Sequence, residues 1–310
     1  MKNLINFLRL TIVMLWLIFI SSCEEDQPST LNNSLVVFEN EDDIYSCNID
    51  GTNITQLTSG SSLDIDSRIN YLIDKIAFIS NRTGRYEIFS MNIDGTGLTQ
   101  LTTTGVSGGQ NNGGRGGIDW TPDGKLLFIK ANKIYKMNSD GSGIVEVATA
   151  PENNWCDLRC SPNGDKIIAQ TQGSWGYVLT MYIMNIDGTN MTVFAPDLPG
   201  VQFIGSFAND GNSFLYAYDL DGHEESSGQS WNDQIVSKKL DGSGTTNLST
   251  GKPDGTNDLW PVYSPDGSKI LFINHVISSI NPMKLWIMDA DGTNRKQLIT
   301  TSNVYKVDCK

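Results

Sequence analysis

The sequence is poor in the residues that build common active sites. Among 310 residues there are two histidines, His223 and His275, which fall in different parts of the chain. A multi-histidine metal centre cannot be assembled from them, and neither a metal nor another cofactor is expected. Basic residues number 22 against 35 acidic ones, and no run of Lys or Arg occurs. A nucleic-acid partner is therefore excluded, because binding a phosphate backbone needs clustered cations. Long amphipathic helical stretches are missing as well. The 30 glycines fall in short polar clusters between apolar runs, a composition that suits many strands joined by turns.

Cysteine is also scarce, with five in the chain. Cys156 and Cys160 lie four positions apart in a strand-like run, about 13 Å at a rise of ~3.3 Å per residue, too far for a disulfide. Cys47 and Cys309 fall in the same repeat, on its third and first strands, and their pairing is left open. Three stretches imitate catalytic or binding motifs and lack a defining part. Residues 289–294 (DADGTN) look like the start of a calcium loop but have no acid at the twelfth position. Residues 105–109 (GVSGG) match G-x-S-x-G literally, yet no helix pattern follows Ser107 and the stretch continues as a glycine-rich loop. It also lacks the Gly-Lys-Ser/Thr of a phosphate loop. The expectation is a protein that binds without doing chemistry, most simply as a monomer.

What is present begins with an address. Lys2 and Arg9 precede an apolar run over residues 10–20 (LTIVMLWLIFI), followed by Ser21, Ser22 and Cys23. The run is shorter than the ~20 residues that span a bilayer, so residues 1–22 read as a signal peptide. The string from Ile20 to Cys23 resembles the bacterial lipobox, which implies lipidation of Cys23 and anchoring to a membrane through it. Glu24, Glu25 and Asp26 resemble the acidic signal that sends lipoproteins of the Bacteroidota to the cell surface. This implies an outer-membrane location, with the surface favoured over the periplasmic side. Residues 23–33 then form a polar linker. Lys2 and Arg9 are the only charged residues before Cys23, so the processed chain carries −15 in place of −13.

Residues 34–310 are built from a repeat. One unit reads IYSCNIDGTNITQLT from residue 44, and it returns as IFSMNIDGTGLTQLT from residue 88, IYKMNSDGSGIVEVA from 134 and YIMNIDGTNMTVFA from 182. Two further copies are IVSKKLDGSGTTNLS from 235 and LWIMDADGTNRKQLI from 285. The glycines of the six Asp-Gly pairs are 44, 46, 47, 54 and 50 residues apart, the spacing of propeller blades. In each copy apolar residues alternate up to the Asp-Gly corner and a short strand follows, which makes a hairpin. A second hairpin precedes it in WTPDGKLLFI, CSPNGDKIIA, FANDGNSFLY and YSPDGSKILF, starting at residues 120, 160, 207 and 263. The second copy, YLIDKIAFI from residue 71, has neither Pro nor Gly, so its turn must be built differently. Cys160 aligns with Trp120, Phe207 and Tyr263, and Cys309 is expected to fill that site in the first blade.

Two hairpins per copy predict an all-β, six-bladed propeller of four-stranded antiparallel blades. The first copy supplies only three strands, and residues 304–309 (VYKVDC) are expected to add its innermost strand, closing the ring and hiding both free edges. The pairing of SPDGSKILF with LWIMDADGTNRKQLI resembles the WD40-like repeats of TolB-type propellers. That resemblance implies the architecture, here expected without the α/β domain that precedes the propeller in TolB itself.

Both Asp-Gly corners fall on one face, and the irregular connections fall on the other. Variable loops on a rigid scaffold favour the irregular face for recognition. The candidate binding residues there are Trp155, Trp175, Trp231, Trp260, Glu224, Asp233 and Asp258. Tryptophans beside carboxylates suit stacking on a sugar or grasping a peptide. The function expected is a non-catalytic envelope scaffold that holds a protein or glycan ligand, with a glycan-binding or glycan-active protein as the alternative.

Overall fold

The computed structural model describes residues 34–309 apart from positions 71, 108–116, 172–179, 197–202, 221–231, 254, 277–281 and 302. The described residues form six four-stranded antiparallel sheets and no helix. The inner strands of blades two to six are Asp64–Asn70, Ile118–Trp120, Trp155–Cys160, Phe203–Phe207 and Thr256–Tyr263. In blade one the inner strand is Val304–Cys309, which pairs antiparallel with Leu35–Asn40, with Cys309 opposite Val36 and Val304 opposite Asn40. Each inner strand packs beside the next, and the sixth returns to the first, so the sheets form a closed ring. The propeller and its closure by the C-terminal strand are as the repeat predicts.

Alternation explains the cores. In Lys75–Ser80 and Lys166–Thr171, strands flanked on both faces, nearly every side chain is buried, whereas the outermost strands of two or three residues are mostly exposed. Val36, Phe38, Leu271, Ile273, Leu285 and Val307 pack into one cluster across the seam between blades six and one. Fully burying each such side chain contributes roughly 1.5–3 kcal/mol before the entropy of ordering is charged against it.

The Asp-Gly corners do more than reverse the chain. Gly188 (φ +82°) sits where a Cβ would lie 2.0 Å from the carbonyl oxygen of Val147 in the preceding blade. A Cβ at Gly51, Gly141 or Gly292 would lie 2.4, 2.5 or 2.2 Å from the carbonyl oxygen of Leu298, Leu101 or Leu248. These four corners therefore dock on the end of the neighbouring blade's outer strand, where a side chain would hold the blades apart, whereas a Cβ at Gly242 would meet nothing within 4 Å. In blade two the other turn is built without glycine: Asn70 Oδ1 accepts the Leu72 N–H at 2.9 Å, and Asp74 takes the left-handed conformation (φ 49°).

Cys47 and Cys309 are paired with the same residue, Val36, from opposite sides. A whole strand separates them, so they cannot join in a disulfide, and both are free and buried.

Candidate functional site

All six inner strands run toward the corner face, and their last residues meet around the ring axis. Asn70, Trp120, Cys160, Phe207, Tyr263 and Cys309 line a cavity of about 420 Å³ there. The first turns of the blades, including Pro122, Pro162, Asn209 and Pro265, form its rim, together with Leu72, which is 71% exposed. Trp120, Phe207 and Tyr263 give it aromatic walls, and Asp119, Arg159 and Asp308 are its charged lining.

The seams around this funnel are tied in alternation. Asp308 Oδ2 accepts the Ile69 N–H at 2.9 Å, Asp119 Oδ2 the Cys160 N–H at 2.8 Å, and Ser206 Oγ the Tyr263 N–H at 3.0 Å. These bonds link blades one to two, three to four and five to six. Between blades two and three the Trp120 indole donates to the Arg68 carbonyl at 3.1 Å. The aromatic wall is thus fixed by the backbone of the blade before it.

Beneath the funnel, ion pairs cross the axis. Lys306 Nζ lies 2.7 Å from Asp66 Oδ1 and 3.5 Å from Asp157 Oδ2. Arg68 reaches the same two carboxylates at 3.0 and 4.0 Å, and Arg159 holds Asp157 at 2.6 Å. Blades one and four stand opposite each other in the ring, so the contact of Lys306 with Asp157 bridges opposite walls and plugs the channel. Asp66 makes this possible by a bulge: its φ is 56°, its N–H bonds Glu39 Oε1 at 2.5 Å, and its Oδ2 accepts from Ile118.

Burial works against the charge of Arg68, but Asp66, Asp308, Asp157 and Asp119 around it outweigh that and raise its pKa. Burial likewise opposes ionisation of Asp157, yet Arg159, Lys306 and Arg68 hold its carboxyl below the ordinary range. Glu39 is the exception. Burial outweighs the pull of Lys306 and, with Asp66 beside it, raises the pKa of Glu39 to about 7. This group thus holds five acids and three bases, all buried.

Around the funnel the corner face is acidic. At its outer corners Asp50, Asp94, Asp140, Asp187, Asp241 and Asp291 each accept the backbone N–H and the hydroxyl of the Ser or Thr two residues on, the hydroxyl at 2.6 Å. Those bonds lower the pKa of all six. Each corner is an Asx turn that fixes an ionised carboxylate at the surface.

The residues expected to bind fall elsewhere. Trp155 opens the inner strand of blade four, is fully buried and meets Tyr182 edge-on at 5.7 Å. Asp258 lies on the inner strand of blade six with no exposure, gripped by Arg295 at 2.8 and 2.9 Å, Ser249 at 2.7 Å and Asn274 at 2.8 Å. Asp233 is equally buried, its N–H bonded to Asn257 Oδ1. Trp260 is half-buried against Phe203 at a bulge. Trp155, Asp258 and Trp260 are strand residues and Asp233 immediately precedes the strand Gln234–Lys239; Trp155, Asp233 and Asp258 are not at the surface. Cys23, Trp175, Glu224 and Trp231 lie outside the described residues. The cavity opens on the regular face, where it was not expected, because that is where the inner strands end.

No family model and no curated protein matches the sequence. Solved structures match its fold. TolB from Acinetobacter baumannii superimposes with a TM-score of 0.67 at 16% identity, over 89% of this chain and 66% of that one, so this chain spans slightly less than two thirds of TolB. A chain of the nidogen/laminin complex gives a TM-score of 0.67 at 10% identity, over 89% of this chain and 98% of that one. An oligogalacturonate lyase in complex with manganese gives 0.51 at 12% identity, over 86% and 73%. At these identities the likeness shows a TolB-like propeller fold alone.

Proposed function

We propose that the chain is a non-catalytic binding scaffold of the cell envelope, anchored to the outer membrane through Cys23, whose axial funnel receives a partner. The observation that carries this reading is the funnel itself: a preformed cavity with aromatic walls, held by backbone bonds across the seams, over a floor of ion pairs. Such a floor suits holding better than turnover. The carboxylates Asp66, Asp119, Asp157 and Asp308 are engaged by cations or backbone N–H groups, which leaves them poor general bases. Burial pushes the Cys309 thiol, at the funnel edge, far above its ordinary range, so it is a weak nucleophile.

Site-specific photocrosslinking in cells tests the reading. A benzoylphenylalanine at Leu72, on the funnel rim, should give one discrete adduct, and the same group at Ile144, on an outer edge, should give none. Equal capture at both positions, or at neither, would remove the funnel as the binding site. Replacing Cys23 with Ser should abolish incorporation of labelled palmitate and release the protein from membranes.

The second reading, a glycan-binding or glycan-active protein, draws on the aromatic walls Trp120 and Tyr263, which offer flat faces to sugar rings, and on the fold shared with the lyase. Binding or cleavage of one member of a polysaccharide panel, lost on Trp120→Ala, would favour it.

A further inference from the structure

The charge of the funnel points to the chemistry of its occupant, on the reading that the funnel binds. The three charged groups of its lining are Asp119, Asp308 and Arg159. Arg159 is directed to the floor, with Nη1 on Asp157 and on the Leu158 carbonyl, each at 2.6 Å. Among the described residues, lining and floor taken together have three cations, Arg68, Arg159 and Lys306, for five acids, Asp66, Asp119, Asp157, Asp308 and Glu39. With Glu39 protonated the group is one cation short of balance, and with it ionised two short. The rim continues the sign: Asp210 and Asp266 stand at the corners beside the funnel, and six fixed carboxylates stand at the outer corners beyond. Lys125 pairs with Asp123 at 2.6 Å and Lys269 with Asp289, and Lys296, Lys75, Lys136 and Lys239 lie near the outer-corner carboxylates Asp50, Asp94, Asp187 and Asp241.

We propose that the funnel receives a Lys or Arg side chain presented by a basic segment of a polypeptide partner. The aliphatic stem would lie along Trp120, Phe207 and Tyr263, and the charged head would complete the floor between Asp119 and Asp308. The cavity is far larger than a bare ammonium ion, and its walls are mostly apolar, which fits a long amphipathic side chain. The spread of carboxylates to the outer corner of every blade fits a partner with several positive charges and steers its approach.

Fluorescein-labelled octalysine titrated into the mature chain, read by anisotropy at low salt, tests this. One octalysine should bind per propeller, while octaglutamate and an octapeptide of acetyl-lysine should not. Because a generally acidic protein attracts polycations anywhere, the deciding variants are at Leu72, whose exposure lets either charge be placed on the rim without disturbing the core. Leu72→Arg should weaken octalysine about tenfold and Leu72→Glu should tighten it, whereas Asp140→Asn, on an outer corner, should change it less than twofold. Unaltered urea midpoints would show that all three variants fold. Octalysine affinity that ignores the charge at position 72, or that survives acetylation, would overturn the proposal. Binding of octaglutamate or oligogalacturonate with the opposite response at position 72 would overturn the cationic assignment and leave the funnel standing as a site. The crosslink from position 72 judges the funnel separately.

Discussion

Alanine at the Asp-Gly corners separates two costs that are usually confounded. Gly188 and Gly95 occupy the same repeat position with the same backbone conformation, φ +82° and +83°. Placing alanine at either forces an L-residue into the left-handed region, a cost of about 1–2 kcal/mol. They differ in what the new methyl meets. At position 95 the nearest atoms, from Leu57, are 3.4 Å away, a tight contact that a small shift relieves. At position 188 the Val147 carbonyl oxygen would be 2.0 Å away and its carbon 2.9 Å, so the seam between blades three and four must open. Overpacking of that kind costs a further 1–3 kcal/mol or so. Gly95→Ala should therefore destabilise by roughly 1–2 kcal/mol and Gly188→Ala by roughly 2–5 kcal/mol. Urea unfolding followed by tryptophan fluorescence measures both, provided the slope with denaturant is unchanged. Equal losses at the two positions would refute the claim that these corners dock on the neighbouring blade.

Further outcomes follow from the buried ionisable groups. The raised pKa of Glu39 means that the folded state keeps a proton which the unfolded chain releases from about pH 4.5, so stability is full below that and falls as pH rises through about 7. A shift of this size corresponds to a loss on the order of 3 kcal/mol, and Glu39→Gln, which keeps the acceptor for the Asp66 N–H, should flatten that slope between pH 5 and 8. An unchanged slope would mean that another group sets it. Burial, with Asp50 nearby, pushes the Cys47 thiol up to about 12, and Cys309, Cys156 and Cys160 are buried too. Ellman's reagent at pH 8 should leave all four untouched in the native protein and modify all four in urea; prompt native reaction of Cys309 would show that the funnel edge opens.

The propeller was legible because each copy carries its own corner. Asp-Gly at six places fixes where hairpins turn, and residues 304–309 alternate as the missing inner strand requires. The turn of blade two was legible only as an exception, since Asp74 in the left-handed region looks like any aspartate in sequence. The site was harder to see. Trp155, Asp233 and Asp258 flank irregular connections in sequence, yet Trp155 and Asp258 fall at the start of inner strands and Asp233 just before the third strand of blade five, and all three are buried. Trp120, Phe207 and Tyr263 already stood in one column of the repeat with Cys160 and Cys309. What a single repeat does not reveal is that this column, taken six times around an axis, encloses a space. Nor does it reveal that Lys306 spans to Asp66 and Asp157, since that juxtaposition arises only when distant blades meet.

Closure of blade one also sets an order of events. The bond from Ile69 to Asp308 joins residues 239 apart in the chain, and the Lys306 contact with Asp66 spans 240. Blades two to six can each form from local hairpins, but the ring is sealed by the slowest class of contact, one that must close nearly the whole chain into a loop. Until Val304–Cys309 arrives, the edge of Leu35–Asn40 is a bare template for another molecule's strand. A circular permutant that joins residue 309 to residue 35 through a Pro-Asp-Gly corner, as in the other blades, would turn that final long-range step into a local one. It should refold faster and aggregate less while keeping the same propeller.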